Sequence, residues 1–381
     1  MAKSEAALLT LPGMEDIAAQ EIEELLNKKG VVCSSFVLFP FEKKEDLFHI
    51  TYFSQSARKV VEIFSFVKHH HESYEIIIKK MIVQLDQKKI KDIISQNATF
   101  NITCIKENYS SETSSPDIAA ELAKPIADFT RAKAVYQNPQ IPFILFITKE
   151  EAMFGLDIAG IDLSKRDYKI FIGAQSLKGP LAYALTRLAG FEEGKSILDP
   201  FCGSGTIPIE AAFHACHRSI NFFRKKNLFF CKEDVALHLT ETLDKKQKKE
   251  VKAKIWAIGD SFTHIASTKK NAKVAGVYDF LNYSRTEINY LDAKFEGDTF
   301  DCIVTQPPIL SQRANENKLR RLYTQFFDEV AFLLKKKGKL VLLCKHPDHF
   351  LPEAERVKLP LHSQRQIWQG QEEFTILIFE K

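Results

Sequence analysis

A chain of 381 residues is long enough for two or three domains, and 45% apolar residues suffice for a sizeable core. A net charge of +4 is too small to prove a nucleic-acid partner, and no apolar run is long enough to cross a membrane. Seven scattered cysteines with no Cys-x-x-Cys pair, and an N-terminus without a long apolar stretch, argue against a disulfide frame, a zinc site and a secretory signal; a cytoplasmic protein with reduced thiols is expected.

Residues 11–26 read as a Leu-Pro-Gly-Met turn and an amphipathic helix, with Ala18, Ile22, Leu25 and Leu26 on one face and Gly30 marking its end. Residues 31–39 and 47–52 read as strands and 55–66 as a helix, a small α+β unit. His69, His70 and His71 point in different directions when consecutive, so a solvated loop or strand edge is expected there, not a chelate. His214 and His217 could share a helix face, but no further ligand accompanies them. Residues 80–96 then read as a helix and 99–105 as a strand. A helix over 117–130 follows, opened by Ser114, Ser115, Pro116 and Asp117, and then paired strands at 142–147 and 151–157. These make a second α+β unit.

From Pro180 onward strands alternate with helices. A helix over 181–188 precedes strands at 197–198, 255–258, 287–290, 300–305, 339–343 and 374–379. That alternation predicts an α/β domain with a mostly parallel, doubly wound sheet, whose ligands bind at the carboxyl ends of its strands. The stretch between the first strand and the next helix is Asp199, Pro200, Phe201, Cys202, Gly203, Ser204, Gly205 and Thr206. A strand, a glycine turn and a helix start aim backbone N–H groups at one point. Pro208 breaks the Gly-x-Gly-x-x-Gly pattern, and no lysine completes a phosphate loop. Asp199 suits a cationic ligand, such as one with an ammonium or a sulfonium.

The run Asp-Pro-Phe-Cys-Gly-Ser-Gly-Thr resembles motif I of S-adenosylmethionine-dependent methyltransferases that modify exocyclic amines. The Leu11-Pro-Gly-Met-Glu-Asp16 start and the Leu163-Ser-Lys-Arg-Asp-Tyr168 segment resemble the two ends of the N-terminal region in THUMP-containing RNA modification enzymes. Within that class the chain is most similar to the tRNA guanine-N2 methyltransferases. The resemblance implies a ferredoxin-like domain over 1–67, a THUMP domain over 68–165, a linker over 166–179 and a Rossmann-like methyltransferase domain over 180–381. It also implies S-adenosylmethionine as cofactor and tRNA, or another structured RNA, as partner.

The expected site follows from this resemblance and from the chemistry of the residues. Asp260, ending the second strand with Ser261 after it, can accept from ribose hydroxyls; as a helix N-cap it would have a structural role. Asp292, followed by Ala293, can accept from an adenine amine at the end of the third strand, with Asn289 or Glu287 as alternative registers. Gln306, Pro307, Pro308 and Ile309 stand where amine methylases carry Asn/Asp-Pro-Pro-Tyr/Phe. A side-chain oxygen and the first proline carbonyl would accept the two N–H groups of a base amine and aim its nitrogen at the methyl group. Gln306 lengthens the usual side chain by one methylene, and Ile309 offers no aromatic face, though Tyr323 is a candidate replacement. Lys165 and Arg166, and Arg313, Lys318, Arg320 and Arg321 beside the catalytic corner, suit RNA phosphates or, more plainly, a solvated surface. Residues 217–254 form a basic insert with eleven Lys/Arg against five Asp/Glu. The expected function is methylation of the N2 amine of a tRNA guanosine. The alternatives are an inactive or weakened RNA-binding protein, or methylation of another exocyclic amine.

Overall fold

The computed structural model describes residues 5–173, 176–309, 316–370 and 372–381. Their strands fall into two sheets of eight and seven strands. The first is built from β1 (Glu5–Leu9), β2 (Val31–Cys33), β3 (Phe36–Pro40), β4 (Lys59–Lys68), β5 (Thr99–Lys106), β6 (Lys133–Ala134), β7 (Ile141–Ile147) and β8 (Glu151–Asp157). Their order is β2-β3-β1-β4-β8-β7-β5-β6, so antiparallel pairing of β4 with β8 joins the two α+β units into one sheet. Helices α1 (Glu15–Leu26), α2 (Lys44–Phe53), α3 (Tyr74–Gln84), α4 (Gln87–Ile93) and α5 (Ser115–Thr130) accompany it.

Three expectations in this half are corrected. Residues 47–52 are helical, inside α2, because the segment has apolar partners on both sides. Leu47, Phe48, Ile50 and Tyr52 are buried in the first core, and Phe48 also stacks on Phe230 of the basic insert at 4.8 Å. Two-sided burial erases the amphipathic pattern by which a helix is recognised. Residues 59–68, expected mostly as helix, are the central strand β4, paired on both edges. The expected helix over 80–96 is broken: α3 ends at Gln84, and Asp86 caps α4 by accepting from the Lys89 N–H.

The second sheet carries the doubly wound pattern. It comprises β9 (Ser196–Asp199), β10 (Lys254–Gly259), β11 (Leu281–Arg285), β12 (Phe300–Thr305), β13 (Leu334–Cys344), β14 (Leu361–Gln369) and β15 (Glu372–Glu380). The order is β11-β10-β9-β12-β13-β15-β14, with β9 through β13 parallel and β15 antiparallel to both neighbours. The order reverses between β9 and β12, which makes their carboxyl ends the switch point. Helices α6 (Gly179–Leu188), α7 (Thr206–Cys216) and α9 (Phe262–Ala275) pack on one face; α10 (Glu316–Leu333) and α11 (Leu351–Arg356) pack on the other. The third strand is β11, at 281–285, and not 287–290 as expected; Ile288–Tyr290 is a single 3-10 turn.

The halves are tied together at three places. Leu11, Met14 and Ile17 are buried in the core of the second half, beside Leu181 and Ile367, and Arg365 pairs with Asp16 at 2.8 and 2.9 Å. The insert reaches back with α8 (Asp234–Asp244): Tyr52 donates to Asp244 at 2.7 Å, and Asn221 donates to the carbonyls of Thr51 and Tyr52 at 3.1 and 2.9 Å. The insert, legible in sequence only as a run of charge, is therefore partly a clamp whose Phe230 and Leu243 join the first core.

The third tie is a buried polar cluster around Glu210, on the second turn of α7. Its carboxylate accepts from Arg166 Nε at 2.8 Å and Nη2 at 3.1 Å, from Tyr168 at 2.8 Å and from Gln55 Nε2 at 2.8 Å. Both charged side chains are 0% exposed. Arg166 also donates to the carbonyls of Leu163 and Gln55. The expectation that Arg166 meets RNA phosphate is corrected: its donors are directed inward, and burial keeps solvent and RNA out. Lys165 beside it is exposed.

Candidate active site

The strand β9 runs into a turn whose shape depends on two glycines. Gly203 and Gly205 have φ of +51° and +85°. A Cβ on Gly205 would lie 2.5 Å from Thr268 Cγ2, whereas one on Gly203 would meet only the Phe201 carbonyl at 4.0 Å. Gly205 thus permits close packing against α9, and Gly203 leaves open space over the backbone. α9 supports the turn from behind. Thr268 donates to the Gly203 carbonyl at 3.1 Å, and Asn271 Nδ2 donates to the Ser204 carbonyl at 2.9 Å. The Cys202 N–H donates to Ile258 O at 2.9 Å, which fixes the turn to the end of β10. Cys202 itself is buried, with Sγ 3.6 Å from the Thr268 hydroxyl. Thr206 opens α7, and Pro208 sits in its first turn, where no N–H is needed.

Asn271 also holds the linker: its Oδ1 accepts from the Phe171 N–H at 3.0 Å and its Nδ2 donates to the Phe171 carbonyl at 2.8 Å. Sequence reasoning left Asn271 and Thr268 out of the site. The run Asn271-Ala-Lys-Val-Ala-Gly276 marks only the end of α9, and nothing local marks Thr268, because both act through backbone groups far away in the chain.

Asp199 ends β9 and is 2% exposed. Its Oδ1 accepts from the Thr305 hydroxyl at 2.6 Å and from the Phe201 N–H at 3.2 Å. The first bond joins the end of β9 to the end of β12 across the switch point. Burial pushes the carboxyl up to about 7, against these two bonds, which favour the charged form. A buried acid poised near neutrality can take up a negative charge when a cation arrives, which is what an ammonium or sulfonium would supply. In the protein alone, the folded value lies above the unfolded one of 3.8. The unfolded chain then releases this proton first, so stability falls as pH rises from about 4 to 7 and levels off above. Asp199→Asn should melt higher than the parent near pH 8, with the gap closing towards pH 4, in calorimetry without cofactor. A difference that does not change with pH would show that the carboxyl titrates normally.

At the end of β10, Asp260 has its side chain 72% exposed and 3.2 Å from His264 Nδ1. Its carboxylate is accessible to a ligand over the strand ends. Ser261 is the N-cap of α9, accepting from the His264 N–H, so the capping role weighed for Asp260 belongs to its neighbour. Asp292 and Ala293 are exposed and lie beyond the 3-10 turn, seven residues past Arg285, the end of β11. Asp292 accepts from the Ala293 N–H at 2.7 Å. Its charge adds to burial in raising Glu329 on α10 to about 7, so it stands near α10. Of the residues weighed in the sequence, Glu287 is the one beside the end of β11, where the Thr286 N–H continues the ladder to Gly259 O at 3.1 Å.

Gln306, Pro307, Pro308 and Ile309 follow β12 directly. Pro307 is buried, while Gln306 and Pro308 are half-buried. Tyr323, on α10, donates to the Pro308 carbonyl at 2.5 Å and packs on Phe350 at 4.5 Å between ring centroids. It is 3% exposed. The expectation that Tyr323 stacks on a base is therefore corrected: it braces the corner from behind. Ile309 packs against the sheet core, and a shallow cleft at the corner is lined by Pro307, Pro308, Ile309, Tyr323, His346 and His349. Lys318, Arg320 and Arg321 are exposed on the first turns of α10, with Arg320 paired to Glu316 at 2.9 Å. Arg313 lies outside the described residues. The rings of His214 and His217 meet different partners, Tyr183 and Phe53, and among the described residues no group of three or more His, Cys, Asp or Glu could hold a metal ion.

These residues fit an S-adenosylmethionine-type ligand. An open glycine turn, a buried acid beside it and an exposed acid one strand over gather at the carboxyl ends of β9 and β10. A family model described as an RMKL-like methyltransferase domain matches residues 166–364. Over 207 residues the chain is 29% identical to ribosomal RNA large subunit methyltransferase K/L of Aliivibrio fischeri, covering 52% of this chain. It spans only 29% of that relative's length. It is 25% identical over 351 residues to tRNA (guanine(6)-N2)-methyltransferase of Methanocaldococcus jannaschii, covering 87% of this chain and 88% of that one. The crystal structure of SMU.472, a putative methyltransferase complexed with SAH, shares the fold with a TM-score of 0.78 at 19% identity, covering 100% of this chain and 98% of that one.

Proposed function

The chain belongs to the family of RMKL-like methyltransferase domains, and from that premise we propose an S-adenosylmethionine-dependent tRNA methyltransferase acting on the N2 amine of a guanosine. The observation that carries the reading is the bond from Thr305 to Asp199, which holds the Gln-Pro-Pro corner against the cofactor turn at the switch point. The match to the Methanocaldococcus jannaschii enzyme along most of both chains supports tRNA and guanine-N2 over the shorter match to the ribosomal RNA enzymes. The N-terminal half, with a ferredoxin-like domain over 1–67 and a THUMP domain over 68–165, grips the RNA. The linker over 166–179 joins it to the catalytic domain at 180–381. Among the described residues no helix is long and apolar enough to cross a membrane, in keeping with a cytoplasmic enzyme.

The turn from Asp199 to Thr206 and Asp260 hold the cofactor, which supplies an electrophilic methyl group. Gln306 Oε1 and the Pro307 carbonyl accept the two N–H groups of the base amine and orient its nitrogen. Tyr323 occupies the Pro308 carbonyl and so fixes the corner without consuming that of Pro307. A conjugated amine is a weak nucleophile, so this orientation supplies most of the rate. The test is transfer from labelled S-adenosylmethionine to unmodified tRNA transcript, followed by digestion to nucleosides. Label in N2-methylguanosine is expected; label in another nucleoside, or in ribosomal RNA alone, would replace the target. One observation favours a second reading, a weakened enzyme that mainly binds RNA: residue 309 offers no ring and Tyr323 is committed to the corner. Cofactor binding without any label in RNA would support it.

A further inference from the structure

We propose that a strip of lysines and exposed rings along α9, the linker and the basic insert binds unpaired RNA; this rests on the RNA reading above and deepens it. α9 carries Lys269, Lys270 and Lys273 and no acidic residue. Among the described residues none of the three is in an ion pair, a state they share with other exposed lysines such as Lys91, Lys232 and Lys294. Each of the three lies over a ring instead. Lys270 Nζ is 4.6 Å from the Phe171 centroid, Lys273 is 5.0 Å from Tyr278 and Lys269 is 5.5 Å from Tyr283.

The strip continues past the helix end. Gly276 stands so close to the insert that a Cβ there would lie 2.7 Å from Arg218 Nη2 and 3.2 Å from the Phe223 ring. The Arg218 guanidinium is 3.9 Å from the Phe222 centroid and 5.0 Å from that of Phe223. Phe223 is 67% exposed, too much for a core residue. Residues 217–230 contain no carboxylate. Asp244 is matched by Lys225 and Asp167 by Arg224, while Asp279 beside Tyr278 and Asp260 just before α9 remain exposed.

Unmatched cations fit phosphates, but cations alone do not choose between paired and unpaired RNA. The rings do. A base can stack on an exposed ring only when its own face is free, as in a loop or a single strand. The cations already poised over these rings would hold the phosphates beside the stacked bases. From Lys270 to Gly276 the helix rises about 9 Å, so the Phe171 and Phe223 ends of the strip are separated along α9. The Phe171 end is fixed through Asn271 to the Ser204 carbonyl, which brings the strip to the edge of the cofactor turn.

The test uses the full chain with a short oligouridylate and an RNA duplex of equal length, read by fluorescence anisotropy. Phe223→Ala should weaken oligouridylate about 10-fold, as expected for loss of one stacked base, and leave the duplex nearly unchanged. Phe223→Trp should keep the parent affinity. Lys273→Glu should weaken binding and reduce the salt slope by about 1. Unchanged S-adenosylmethionine affinity in each variant shows that the fold is intact. Equal losses on single strand and duplex would overturn the preference for unpaired RNA. Variants that bind like a parent that itself binds and methylates RNA would overturn this surface alone. A parent that binds no RNA would overturn both this surface and the RNA reading.

Discussion

Replacing Arg166 by leucine should cost the folded protein about 3–5 kcal/mol, because it leaves the Glu210 carboxylate buried without its cation. Glu210 is 0% exposed and accepts from Arg166, Tyr168 and Gln55, three residues that come from two segments of the N-terminal half and the linker. Losing the guanidinium removes two of those bonds and most of the compensating charge. Urea unfolding followed by circular dichroism would measure the loss. The paired change Arg166→Met with Glu210→Leu should recover much of it, since replacing both partners leaves no lone charge. If Arg166 served RNA instead, the single variant would keep its stability and lose RNA affinity, the opposite outcome. The same measurement has a structural consequence. Glu210 is one turn beyond the cofactor turn on α7, so cofactor affinity should fall with stability in the single variant and return in the double one.

Gln306→Ala should lower kcat by about 100-fold or more, while S-adenosylmethionine still binds. The side chain follows β12 at the switch point, next to the Thr305–Asp199 bond that sets the position of the corner. On the proposed mechanism, removing the amide takes away one of two acceptors for the base amine and leaves the cofactor turn untouched. Single-turnover methylation of tRNA transcript, with cofactor binding measured separately, distinguishes the two effects. Gln306→Asn combined with Ile309→Tyr recreates the usual motif. A rate at or below the parent's means that this backbone is set for the longer side chain. A large gain means that the parent corner is a weakened one. Full activity in Gln306→Ala would remove Gln306 from the mechanism.

The strand-end placement of the proposed site was legible in the chain because it is written locally. The turn from Asp199 to Thr206, the Gly259-Asp260 strand end and the Gln-Pro-Pro corner are each short runs, and the parallel sheet brings strand ends together wherever the alternation of strand and helix is correct. The register after β11 was not legible. The polar run Asn282-Tyr-Ser-Arg285 forms a strand only because β10 offers it an edge, so Asp292 was placed at a strand end it does not occupy.

What the amino-acid sequence determined by itself was the class of fold and the position of the glycine turn and the Gln-Pro-Pro corner at strand ends, because glycine, proline and apolar periodicity act over a few residues. Tertiary structure alone decided the roles of the charges and rings. Arg166 and Lys165 are adjacent in the chain, yet one is sealed against Glu210 and the other faces solvent. Tyr323 braces Pro308, and the insert that reads as a basic run divides into a clamp at Phe230 and an exposed face at Phe223. The reason is physical. A charge or a ring has no role until its neighbours set its burial and its partners, and those neighbours come from segments far away in the chain.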